Sequence, residues 1–371
     1  MSPEQALLAA VGAVREPELA LPLAELGLLR AVTVGRRGLV TVQIVLTSAS
    51  SPVANELRAA VVAAASGVPG VSRVEVSFGA LTERERLELS TRLRAARTTD
   101  PVTGRYAPAP RIYAVASGKG GVGKSSVTAN LAAALALSGQ RVGLMDADVW
   151  GYSIPQLFGV RRSPSALKGL MLPVEAHGVR LMSTGFFVND EEPVIWRGPM
   201  LHKALEQFVD DVHWGALDVL LLDLPPGTGD VTLSLLEFLP TVSLLLVTTP
   251  QPAAQTVAAR VGRMARDMRV PVAGVVENMS TLACAHCGGQ TALFGSGGGA
   301  RLAEQLAAPL LATVPLDLAL REAGDAGVPV VVASPGSVAA QALSQLAVSL
   351  PRPRRSLAGV PLQLTVVPSS G

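Results

Sequence analysis

A chain of 371 residues can hold two domains of ordinary size, or one large and one small. Apolar residues make up 49% of it, yet runs such as LDVLLLDLPP and VSLLLVTTP stop well short of the ~20 residues of a membrane span, which excludes them as spanning helices. A net charge of +2 is too small to argue for nucleic acid, and 2 cysteines do not make a secreted disulfide framework, so the expectation is a cytoplasmic protein without membrane or nucleic-acid partners.

In chain order, the opening MSPEQALLAAVGAVREPE lacks the basic start and cleavage pattern of a secretion signal. Residues 1–96 read as a small α/β accessory domain. Its expected elements are a helix over 3–14, a hairpin over 31–46 turning at Gly-Arg-Arg-Gly, a helix over 52–65, a strand over 71–78 and a charged helix over 83–96. Residues 97–110 are polar and Pro-rich and read as a linker. Strands and helices alternate over 111–350, with strands expected at 112–116, 141–145, 218–222, 242–248, 272–277, 310–314 and 329–332. That alternation predicts a doubly wound, mostly parallel α/β sheet, with active residues at the carboxyl ends of its strands. Residues 351–371 read as a loose tail.

The chain is organised around 112–130. A short apolar strand runs into Gly118-Lys119-Gly120-Gly121-Val122-Gly123-Lys124-Ser125, a full match to G-x-x-x-x-G-K-S/T, and an Ala/Leu-rich helix follows. Glycines let the backbone present N–H groups to phosphate, and the helix points its positive end at the same anion. Residues Gly118 to Ser125, with Ser126, are the expected nucleotide site. Lys124 reaches the β- and γ-phosphates, and Ser125 offers its hydroxyl to Mg²⁺. An ordinary loop of this kind has no need of Lys119.

Three further strand ends carry polar residues. Asp146 and Asp148 can both face a nucleotide, or serve as a turn acid and a cap. Asp223 closes a buried strand before LPPGTGD, the arrangement that holds Mg²⁺. Asn278 offers a donor and an acceptor to an adenine edge, or forms a turn. Cys284 and Cys287 make a C-x-x-C pair that cannot close a four-thiolate site alone. A cluster shared by two subunits, a zinc ion in the same geometry and a redox disulfide all fit the pair.

KGGVGKS resembles the deviant P-loop of the family that includes MinD, ParA, the nitrogenase iron protein and the Mrp/ApbC proteins. DADVWGYSIP, DLPPGTGD and ENMSTLACAHCGG resemble the Mrp/ApbC branch in particular. The resemblance implies a homodimeric ATPase that binds ATP with Mg²⁺ and carries a 4Fe-4S cluster to apoprotein clients. Lys119 then reaches the partner's nucleotide, Lys124 neutralises phosphate charge, Asp148 orients the attacking water, and Asp146 lies near Mg²⁺ with Ser125 and Asp223. Asn278 contacts the base, and Cys284 with Cys287 holds half of a bridging cluster. REPELALPLAELGLL and LTSASSP resemble the small iron–sulfur assembly domain, but Ser51 stands where that domain has cysteine, so a structural or docking role is expected there. The rival readings are a MinD/ParA-type spatial switch and a zinc-bound scaffold. Prolines at 351, 353, 361 and 368 argue against the amphipathic tail helix that a membrane-bound switch requires.

Overall fold

The computed structural model describes residues 3–48, 51–95, 109–187, 198–239, 241–284 and 286–351. All but the last two residues of the expected linker, and all of the expected tail beyond Pro351, lie outside them.

The N-terminal part packs helices α1 (Pro3–Gly12), α2 (Leu23–Leu26), α3 (Ala54–Ser66) and α4 (Glu83–Ala95) with a three-stranded sheet. Strands β1 (Leu29–Val34) and β2 (Leu39–Leu46) form the expected hairpin, and β3 (Arg73–Ala80) pairs parallel to β2. Alternation sets the buried face: Val40, Val42, Ile44 and Leu46 of β2 point inward. They meet Leu57, Val61 and Ala65, spaced four apart on α3. Pro52 lies ahead of α3 rather than in its first turn.

The second sheet is built from β4 (Arg111–Ser117), β5 (Val142–Asp146), β8 (Val174–Ala176), β9 (Val179–Ser183), β10 (Val219–Asp223), β11 (Val242–Thr248), β12 (Val272–Ala283), β13 (Gln290–Thr291) and β14 (Leu310–Leu316). Its order is β13-β12-β11-β4-β10-β5-β9-β8, with β14 also on β12. The inner strands are parallel and buried on both faces, as their unbroken apolar runs require. Tyr113 and Val115 of β4 enter one core, while Ile112, Ala114 and Ala116 enter the other. The chain passes from β4 to β5 on one side and later to β11 on the other, so β4 marks the switch point of the sheet.

Two differences from expectation have physical causes. Residues 329–332 are not a strand: Val330–Ala333 is a short helix opened by Pro329, with Val330 and Val331 buried in the core against the helix α5 (Lys124–Leu137). Tertiary burial overrides the β preference of three valines. Residues 165–183 hold four short strands that were not expected. Two of them, β6 (Ser165–Leu167) and β7 (Leu170–Leu172), form a hairpin apart from the main sheet. Its Leu167, Leu170 and Leu172 are buried in the core of the N-terminal part, with Leu89 and Leu93 of α4. Ser165 Oγ donates to Glu18 Oε1 at 2.6 Å, and Arg94 Nη2 donates to the Gly169 carbonyl at 3.0 Å. The hairpin therefore completes the core of the N-terminal sheet, which is separate from the two cores on the faces of the large sheet.

Candidate functional site

At the carboxyl end of β4 the backbone curls through Gly121 (φ 79°) and Gly123 (φ 78°) before entering α5. A side chain at Gly123 would be strained by that φ and would collide with the Asn278 amide. No side chain caps α5, which leaves its first N–H groups for an anion. The cleft above has a volume of about 610 Å³ and is lined by residues 119–126, Asp148, Trp150, Pro225 and Pro226.

Strand register brings the acids together. Asp223 at the end of β10 lies beside Asp146 at the end of β5. Asp223 is fully buried; its Oδ2 takes the Lys124 ammonium at 2.6 Å and the Ser125 hydroxyl at 2.6 Å. Its Oδ1 accepts from Thr128 Oγ1 at 2.8 Å. Thr128, one helical turn beyond Lys124, was not expected in the site; only its i+4 spacing from the lysine could have signalled it.

Asp146 does not line the cleft. Its carboxylate accepts from the Asp148 and Ile154 amides at 3.1 and 3.3 Å and from Ser183 Oγ at 3.0 Å, so it holds the 146–154 loop in place. Burial, reinforced by the charge of Asp223, pushes its carboxyl up to about 7. Asp148 does line the cleft, and its Oδ1 accepts from the Gly151 amide at 3.0 Å. Burial also raises its pKa, against the pull of Lys124. Lys119 lines the cleft too and donates to Gln251 Oε1 at 3.2 Å. The Ser125 hydroxyl in the cleft wall and the Asp223 carboxylate buried directly behind it are the hard oxygen donors that Mg²⁺ takes, and two lysines supply the charge for phosphate, so the residues fit a magnesium nucleotide.

Asn278 stands behind the phosphate loop. It is buried outside the cleft lining, and its Nδ2 donates to the Val122 carbonyl at 2.9 Å. It buttresses the phosphate loop from below instead of presenting an open amide to a base.

Cys284 and Cys287 are exposed at the far end of β12. The Cys284 amide donates to the Gly289 carbonyl and the Gly288 amide to the Cys284 carbonyl, both at 2.9 Å, closing a tight loop that needs Gly288 at φ 70°. The backbone N–H groups of Cys287 and His286, then the Cys287 thiol, hold the Cys284 thiol below its usual range. That favours the thiolate, the form that ligates soft metals. Among the described residues no group of three or more His, Cys, Asp or Glu is placed to hold a metal ion.

The family model described as "NUBPL iron-transfer P-loop NTPase" matches residues 109–350, and that of "Iron-sulfur cluster assembly protein" matches residues 4–78. A Mycobacterium bovis protein named "Iron-sulfur cluster carrier protein" is 47% identical over 97% of this chain and 96% of its own. A Deinococcus radiodurans protein of the same name is 42% identical over 98% of this chain and 99% of its own. Among solved structures, the nucleotide-binding protein of Archaeoglobus fulgidus in complex with ADP is similar at 36% identity and a TM-score of 0.53, covering 59% of this chain and 87% of that one. The cell division ATPase MinD of Pyrococcus furiosus is similar at 25% identity and a TM-score of 0.51, covering 65% of this chain and 98% of its own.

Proposed function

The chain belongs to the family of NUBPL iron-transfer P-loop NTPases, and on that premise we propose that it is a cytoplasmic homodimeric ATPase that carries an iron–sulfur cluster to apoproteins. The observation that carries the reading is the exposed Cys284–Cys287 loop, which offers two thiols where a cubane asks for four. Two copies about a two-fold axis supply the four.

Residues 111–350 form the ATPase domain in this reading, and 1–96 an accessory domain that lacks the family thiol at Ser51. Ser125 and Asp223 would hold Mg²⁺, which neutralises phosphate charge when bound. Lys124 neutralises the same charge from within the chain. Lys119 exchanges Gln251 for the nucleotide of the partner subunit. Asp148 orients water from the cleft wall. Asp146 fixes the loop that carries Asp148.

Anaerobic reconstitution tests the reading. About four irons and four sulfides per dimer are expected, and Cys284→Ser or Cys287→Ser should remove them, since each change costs the site two ligands by symmetry. Protein that binds about one zinc per dimer and accepts no iron would overturn the carrier reading in favour of a scaffold.

A further inference from the structure

One strand joins the nucleotide cleft to the cysteine pair. Strand β12 pairs with β11 as far as Glu277, opposite Thr248, and its residues up to Asn278 are mostly buried. Glu277 is anchored by the Gly299 amide, which donates to its Oε2 at 2.5 Å. The next residue, Asn278, reaches across 156 positions of sequence to the Val122 carbonyl. Val122 is part of the cleft wall. Met279 then takes φ 56°, a region that side-chain-bearing residues rarely enter, and the register with β14 is irregular between Asn278 and Leu282. Beyond this bend the strand resumes, pairing Leu282 with Thr291 and Ala283 with Gln290, and Cys284 follows at once.

We propose that Asn278 is a positioning residue that couples the state of the phosphate loop to the Cys284–Cys287 loop through β12. The inference rests on the nucleotide-binding reading above. The Asn278 amide is buried, so no water can replace the Val122 carbonyl if the loop moves. A shift of the loop on taking up phosphate must carry Asn278 with it or leave a buried donor unmatched. Gly123 admits the amide because it has no side chain, and the Met279 methyl lies beside the same corner. Anchored at Glu277 and bent at Met279, the strand passes a displacement of Asn278 outward to the cysteine segment.

The chain has only 2 cysteines, so thiol alkylation reports on this pair alone. Apoprotein is treated anaerobically with iodoacetamide, with and without saturating Mg-ATP, and nucleotide occupancy is measured in the same samples. In the wild type the alkylation rate should change about fivefold or more on ATP binding, the lower end of ordinary coupling between sites. In Asn278→Ala the ratio should collapse towards one while nucleotide is bound. A wild-type ratio in Asn278→Ala at equal occupancy overturns the coupling, as does a wild-type protein that binds ATP without any change in rate. If the alanine protein fails to fold, Asn278→Ser is measured instead. Amide exchange of the wild type needs no variant: ATP should change protection over 280–291, and unchanged exchange there with a protected phosphate loop overturns the inference. Failure to bind ATP at all sinks the nucleotide reading itself, and iron loading tests the cluster reading separately.

Discussion

Lys124 Nζ stands 2.6 Å from Asp223 Oδ2, and the two side chains are 7% and 0% exposed. The pair therefore does two jobs. It holds the phosphate-facing lysine in place, and it neutralises a carboxylate that burial would otherwise penalise. In Lys124→Ala, Asp223 keeps only the Ser125 and Thr128 hydroxyls. Breaking a buried pair costs on the order of 3–5 kcal/mol. The variant should melt at lower temperature and lose productive Mg-ATP binding in calorimetry. Normal ATP affinity in a folded variant would remove the phosphate-loop assignment.

Lys119 is held by a neutral amide, Gln251, at 3.2 Å. A neutral partner is given up more readily than a carboxylate. Lys119→Ala should therefore leave Mg-ATP binding within a few-fold of wild type and lower the hydrolysis rate by tenfold or more, a loss of at least ~1.4 kcal/mol of transition-state stabilisation. Hydrolysis at the wild-type rate would show that the lysine does not act across a dimer.

The parallel core is legible in the sequence because each inner strand is an apolar run with no polar face, and the places of the glycine loop, Asp148 and Asp223 at strand ends follow from equally local patterns: glycine spacing and an acid closing an apolar run. The bond from Asn278 to the Val122 carbonyl is not legible in the sequence, because no local pattern reveals a partner 156 positions away. The Val330–Ala333 helix was misread because burial against distant elements decides its form. The β6–β7 hairpin escaped notice because its two three-residue strands lack a period, and its three leucines bury into a core formed by the other end of the chain.

That hairpin bears on how the N-terminal part can be removed. Leu167, Leu170 and Leu172 are at most 1% exposed. Deleting residues 1–100 alone uncovers all three, and the product should aggregate. Changing the three leucines to serine in the same truncation should restore soluble protein that still loads iron at Cys284 and Cys287. A soluble, dimeric truncation that takes up no iron would show that the N-terminal part is needed for cluster binding. Leu170→Ala in the full chain should cost about 2–5 kcal/mol, read as faster amide exchange across both β1–β3 and the hairpin.

Glu16 gives the N-terminal part a pH dependence of unusual sign. It is 2% exposed, and its Oε2 accepts from the Glu18 and Leu19 amides at 2.8 and 2.7 Å. Burial pushes its carboxyl from 4.5 up to about 7; the Leu19 amide and Arg162 oppose the rise, and the neighbouring Glu18 adds to it. Between those values the unfolded chain has released the proton and the folded chain still holds it. Stability therefore falls as pH rises from about 4.5 to about 7, and is level beyond, with a span on the order of 3 kcal/mol. Glu16→Gln keeps an oxygen for the two amides and removes the titration, so it should flatten the slope and raise stability at pH 7.5. Whole-protein melting is the wrong measurement, because Asp146 is raised into the same range. Amide exchange over 3–48, followed from pH 5 to 8 after correction for intrinsic rates, isolates the contribution of Glu16. If Glu16→Gln keeps the wild-type slope in that segment, the titrating group lies elsewhere.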